Sequence, residues 1–395
     1  MSNILFTNIV VDVIIGIDLG SFHVVKDQPF KGIVNIPHVN DTDLHVIHFQ
    51  HVVKNQDQNE TNEDSGLRYG YWITHGSYYV VYNEGQELYE IFQEDDSVKY
   101  ELAMKDYIER NMVSEYPKID EGNRWGILSN KINWPLVKTI VFPKYRHGKE
   151  ERFVFVDSSM TTWEENELLR RTLIKDGHYN SDNDGDNDGD NDKNRLFHYS
   201  PIKFKSKEAM RDDYKMEDFQ DKSYYFNEII IKQKFKGKEF NYIGELQYSY
   251  LNLILFGNYG SSLQWHSMIE LVCRSSQVSK EFIGNLDNIL SVELDLIPIE
   301  YRDVLINEKL WISLFTNDSF QKENLPKTHS MLIKCHIIEQ DSSETQTLPQ
   351  QDEESEEEEV ISFNDGDEIG TVDYHRLDSS EDEDGPTIVG GIYYG

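Results

Sequence analysis

Four groups of residues have types and spacings that could do chemistry. In IGIDLGS, Ile15–Ser21, Asp18 stands between two glycines. A turn of this kind lets backbone approach phosphate while a carboxylate holds Mg²⁺, as in a nucleotide loop. IVGG, Ile388–Gly391, imitates an adenosine-binding turn. His45, His48 and His51 are spaced three apart, and imidazole is a common metal ligand. In DNDGDNDGDND, Asp184, Asp186, Asp188 and Gly189 fit a calcium loop, but Arg195 stands where the bidentate glutamate belongs. Ser158 and Ser159 carry no nucleophile motif.

Each group must be positioned by its surroundings, and these work against it. Mid-chain offers no second Asp-x-Gly strand, and an acidic stretch separates IVGG from the rest. HVIHFQHVV has strand composition, and residues three apart on a strand face opposite ways. The histidines therefore read as structural or partner-facing. The expectation is no catalytic residue, no metal site and no cofactor.

Up to about residue 157 the chain reads mostly as strands, at Ile9–Ile17, Leu44–Val53, Leu67–Thr74, Tyr78–Tyr82, Leu88–Phe92 and Arg152–Val156. One helix, about Glu101–Met112, interrupts them. Gly16 and Gly20 read as backbone freedom for a hairpin turn. Helical signals dominate from Thr161. Thr162 and Glu165 form a capping box before a linker helix within 158–179. The Asn/Asp/Gly run 180–195 is expected to be disordered. In the helical region 196–340, Ile243, Leu246, Tyr250, Leu253 and Ile254 fall at helical spacing, and Gly257 suits a left-handed cap. Ser261 with Gln264 reads as the box opening a second helix, with Leu263, Met268, Ile269 and Val272 as its apolar stripe. The fold class is α+β: a β-rich N-terminal domain, a helical domain and an acidic tail, 341–395, expected to be disordered.

The 395 residues carry 72 acidic and 38 basic side chains, a formal charge of −34. The tail holds 18 of the acids and one arginine, half of that charge. So acidic a chain is not expected to bind nucleic acid by neutralising phosphates. The lysine clusters at Lys203–Lys207 and Lys232–Lys238 read as solvated faces. Two cysteines, Cys273 and Cys335, are too few for a disulfide framework and suit a reducing compartment. No apolar run approaches the ~20 residues that span a bilayer, and the start does not read as a secretory leader. A soluble, intracellular protein is expected.

GELQYSYLNLILFGNYGSSLQWHSMIELVCRSS, Gly244–Ser276, resembles the signature of the A1-cistron splicing factor family. GIDLGSFHV, FKGIVNIPHVN, HVIHF, MTTWEENELL and DKSYYFNEII are similar to family segments and keep the family order. The resemblance implies a helical domain like a VHS fold and a non-enzymatic role in pre-mRNA splicing. It implies binding to the large central scaffold protein of the U5 small nuclear ribonucleoprotein (snRNP), at its RNase H-like and Jab/MPN-like domains. Occupying that surface during assembly would keep the U5 helicase and RNA from engaging early. Other U5 and Sm proteins would be reached only indirectly. Neither direct nucleic-acid contact nor a membrane is expected, and both cytoplasm and nucleus are. The tail residues Thr387, Ile388, Val389, Ile392, Tyr393 and Tyr394 form a β-prone segment expected to add as a strand to the partner. The resemblance matches Ser275 to a regulatory phosphorylation site, with Ser276, Ser379 and Ser380 as weaker candidates. The alternatives are an actin-like or sugar-kinase-type ATPase using Asp18 and a generic acidic RNP chaperone.

Overall fold

The computed structural model describes residues 2–37, 44–52, 67–94, 96–117, 123–141, 152–175, 196–298, 302, 304, 306–316, 319–338 and 387–389. The calcium-like run, Arg195, Ser379, Ser380, Ile392, Tyr393 and Tyr394 lie outside them. One compact unit comprises 1–338 with 385–395; the second, 339–384, also lies outside the described residues.

The chain begins with two β-sheets. Strands β1 (Ser2–Phe6), β4 (Gly32–Ile36), β7 (Ser77–Asn83), β8 (Leu88–Gln93) and β9 (Val113–Glu115) form one sheet, in the order β8-β7-β1-β4-β9. Strands β2 (Val13–Ile17), β3 (Gly20–Val24), β5 (His45–His51), β6 (Arg68–Ile73), β10 (Phe153–Asp157) and β11 (Thr387–Val389) form the other, ordered β10-β6-β5-β2-β3-β11. The expected strand at Ile9–Ile17 is shorter, beginning at Val13. Helix α1 (Ser97–Glu109) starts four residues before its expected position, because the Asp96 side chain caps Lys99 N. Helices α2 (Arg124–Ser129) and α3 (Trp134–Val141) follow within the β-rich part.

Strands β2, β5 and β6 of the second sheet are mostly buried on both faces, and the period-2 alternation explains how. Ile47 and Phe49 of β5 and Tyr69, Tyr71 and Ile73 of β6 face the core between the sheets. Val46 and Trp72 point the other way, into the core shared with the helices. That shared core runs without a break from the sheet into the helical part. Trp72 Nε1 donates to Asn252 Oδ1 at 3.0 Å across the join. At the open side of β8, Tyr69 Oη accepts from Tyr89 N at 2.8 Å and Tyr71 Oη donates to Tyr89 O at 3.1 Å. Tyrosines of one sheet thus satisfy backbone groups of the other, where an edge strand would otherwise stay unpaired.

The helical part comprises α4 (Trp163–Lys175), α5 (Lys215–Gln220), a π-helix (Tyr225–Lys234), α6 (Glu239–Phe256), α7 (Tyr259–Cys273), α8 (Lys280–Leu296), α9 (Glu308–Thr316) and α10 (Pro326–Lys334). The Thr162–Glu165 box forms: Glu165 N donates to Thr162 Oγ1, and Thr162 N to Glu165 Oε2. Gly257 ends α6 at φ 65°, the left-handed cap its position requires. The second box does not form. Asn258 caps α7 instead, its side chain accepting from Ser261 N, so the helix starts at Tyr259. Gln264 is used elsewhere, its Nε2 donating to Ser200 O and Glu245 Oε1. Of the expected α7 stripe, Met268, Ile269 and Val272 are buried, but Leu263 is 44 % exposed. Cys273 and Cys335 are both free and buried.

Candidate functional site

Three places gather the residues singled out by the sequence. The first is the β2–β3 hairpin. The register Ile17↔Gly20 leaves Asp18 and Leu19 as the turn. The left-handed residue there is Asp18, φ 54°, not a glycine. Hydrogen bonds to its side chain hold it. Asp18 Oδ1 accepts from Val46 N at 2.9 Å, and Oδ2 from Tyr116 Oη at 2.7 Å. His45 Nδ1 lies 2.6 Å from the same Oδ2, and its Nε2 lies 2.8 Å from Pro37 O. Tyr116 follows β9 of the other sheet, and Trp125 of α2 stacks on His45 at 6.4 Å between ring centres. This buried aspartate therefore fastens the two sheets together and, through His45, meets α2. Its oxygens are committed, which argues against Mg²⁺ work.

The two glycines here supply space rather than backbone freedom. A Cβ on Gly16 would overlap the His48 ring, and a Cβ on Gly20 would stand 2.8 Å from Pro117. Gly16, His48 and Gly70 are cross-strand neighbours on β2, β5 and β6. A Cβ on Gly70 would also strike the His48 backbone. The His48 imidazole lies over Gly16, with Nε2 3.2 Å from Asp18 O and its ring edge-on to Phe256 of α6. Burial pushes its pKa down to about 4, so it is neutral. His51 takes a third partner, Nε2 to Tyr69 Oη at 3.1 Å. The three histidines thus serve three different contacts, and no metal-holding group occurs among the described residues.

The second place is the edge of β3. Thr387, Ile388 and Val389 pair antiparallel with His23, Phe22 and Ser21 of this same chain. Phe22 and Val24 are fully buried and His23 is exposed.

The third is the junction of α7 and α8. Helix α7 ends at Cys273, and Ser279 caps α8 through Phe282 N. Ser275 between them is completely buried. Its Oγ donates to Leu271 O at 2.7 Å, and its carbonyl accepts from Gln321 Nε2 at 2.6 Å. Ser276 is exposed, and its Oγ donates to Asp221 Oδ2. Asp221 Oδ1 also accepts from Ser276 N, Ser223 N and Ser223 Oγ. Burial opposes the Asp221 charge, but the bonds from Ser223 and Ser276 outweigh it and hold the carboxyl below its usual range. Asp221, Ser223 and Gln321 were not singled out by the sequence, since each reaches the junction from about 45 residues away or more.

These features sit on segments that known proteins share. A model of the AAR2 N-terminal domain matches residues 1–142, and one of the AAR2 C-terminal repeat region matches 199–356. The A1 cistron-splicing factor AAR2 of Saccharomyces cerevisiae is 39 % identical over 403 aligned positions, covering the whole of this chain and 99 % of the yeast protein. The chain belongs to the AAR2 family. The hairpin and the β3 edge lie within the AAR2 N-terminal match, and the α7–α8 junction lies within the AAR2 C-terminal one. The terminal strand β11 lies beyond both, so it rests on the full-length alignment alone.

Proposed function

We propose that this chain is a non-enzymatic pre-mRNA splicing factor acting in U5 snRNP assembly. It binds the central U5 scaffold protein at its RNase H-like and Jab/MPN-like domains and blocks premature helicase and RNA binding. It works in cytoplasm and nucleus, meets other U5 and Sm proteins only through the scaffold, and touches neither nucleic acid nor membrane directly. The observation that carries this reading is the full-length likeness to a protein named a splicing factor. Two features support it. The carboxylate that an ATPase would need, Asp18, is buried and engaged on both oxygens. The C-terminal strand is held by three residue pairs along one strand edge, an interaction another sheet can offer equally.

In this reading β11 leaves β3 to pair with the partner's sheet. Deleting Thr387–Gly395 is expected to weaken binding to a scaffold fragment holding both domains while leaving the fold intact; equal affinity of truncated and full chains removes the tail from the interface. Calorimetric titration with Mg-ATP is expected to show no binding. A micromolar dissociation constant abolished by Asp18→Ala would restore the ATPase reading. In this scheme Ser275 is the control point, because a phosphate there cannot be accommodated without opening the α7–α8 junction.

A further inference from the structure

We propose that the β3 edge, once β11 has left it, accepts an extended segment of the same protein partner, so that strands are exchanged in both directions. The proposal rests on the reading of β11 as a partner-binding strand.

The hold of β11 on β3 is short, three residue pairs, and 339–386 separate it in sequence from Ile338. Its departure removes the three residue pairs that β11 makes with Ser21, Phe22 and His23. Unpaired main-chain donors and acceptors along a strand edge are a template for another strand. β3 cannot withdraw to hide them. It is fixed to β2 over five pairs, Val13↔Val24 to Ile17↔Gly20. Phe22 and Val24 are anchored in the core between the sheets. Asp18 locks the turn that joins the two strands. The edge is thus a rigid receptor whose native occupant reads Thr-Ile-Val, so it suits a β-branched, extended segment. A second copy of this chain is disfavoured as the occupant. Two copies, each with a formal charge of −34, repel one another.

The test uses the full chain carrying Val389→Pro, which imposes a fixed φ and removes one strand donor. Amide exchange at Ser21 and His23 is expected to be fast in this variant alone. It should slow at least about tenfold when the two-domain scaffold fragment binds. Fast exchange in the bound complex overturns the proposal. A labelled peptide of residues 385–395 probes the edge without the scaffold. It should bind the Val389→Pro chain at least about tenfold more tightly than wild type, and His23→Pro in that background should abolish binding. No peptide binding to the Val389→Pro chain also overturns the proposal. If the scaffold fragment fails to bind any form of the chain, the assembly reading falls and the peptide result still decides what β3 can accept. A concentration-dependent dimer of the variant with protected Ser21 and His23 assigns the edge to a second copy, against the proposal.

Discussion

Replacing Glu293 with glutamine tests how the helical core holds a carboxyl group. Glu293, on α8, is fully buried. Its Oε2 accepts from Trp265 Nε1 on α7 at 2.9 Å, and its main-chain oxygen accepts from Tyr250 Oη on α6. Among the described residues, Oε1 has no hydrogen-bond partner. An ionised carboxylate here would have one neutral donor and, among the described residues, no cation to offset its lost hydration, so burial pushes the pKa up to about 8. A folded-state pKa above the unfolded one contributes stability that is complete below the unfolded pKa and is lost as pH rises through the folded value. Each pKa unit is about 1.4 kcal/mol, so the chain sheds about 4–5 kcal/mol between pH 4.5 and pH 8 through this one group. Glutamine keeps the shape and the acceptor for Trp265 but does not titrate. His48 and His266, both held near 4, act in the opposite direction and only below about pH 6.5, where the unfolded histidines gain protons. The clean window is therefore pH 6.5–8. There the stability gap between wild type and Glu293→Gln, from urea unfolding, should move by about 2 kcal/mol in favour of the variant. Glu245, raised to about 7 by burial, titrates in both proteins and cancels. A gap that stays constant across the window would falsify the reasoning, because the carboxyl would then be titrating alike in both states.

Two further changes probe the other sites. Gly16→Ala should cost about 1–3 kcal/mol in thermal or urea unfolding, because its Cβ has no room beside the His48 ring; adding His48→Ala should recover part of that loss, and strict additivity would show that the two positions do not touch. Ser275→Glu, which places charge on a hydroxyl position with no exposure, should weaken scaffold binding more than Ser379→Glu combined with Ser380→Glu; wild-type affinity in the Ser275→Glu chain ends the control-point reading.

The features legible in the sequence are those decided within a few residues. The Thr162–Glu165 box, the Gly257 cap and the change from strands to helices near residue 160 depend on local spacing and appear where expected. The second capping box failed because two candidate caps compete. Asn258 outbids Ser261 for the role, and Gln264 satisfies the buried Glu245. Helix α2, with six residues, is too short for its periodicity to show. The Asp18 cluster was invisible for another reason: its tyrosine lies 98 residues away and arrives with a different sheet. Local sequence correctly made Gly16 special but gave the wrong cause, since the crowding His48 comes from the neighbouring strand.

The pairing of β11 with β3 also bears on how the protein is made. β3 emerges from the ribosome early, whereas its outer neighbour is separated from it by about 360 residues of sequence. At ~5–20 residues per second, translation of the intervening chain takes about 20–70 s. Once β5, β6 and β10 have followed, the sheet can fold up to β3 but not beyond it, and for the rest of that interval its edge stands open to any passing strand. Nascent chains stalled or truncated before Thr387 would carry the same open edge permanently. Chaperone dependence, or aggregation on premature termination, should therefore be more severe for this protein than the loss of three residue pairs alone suggests.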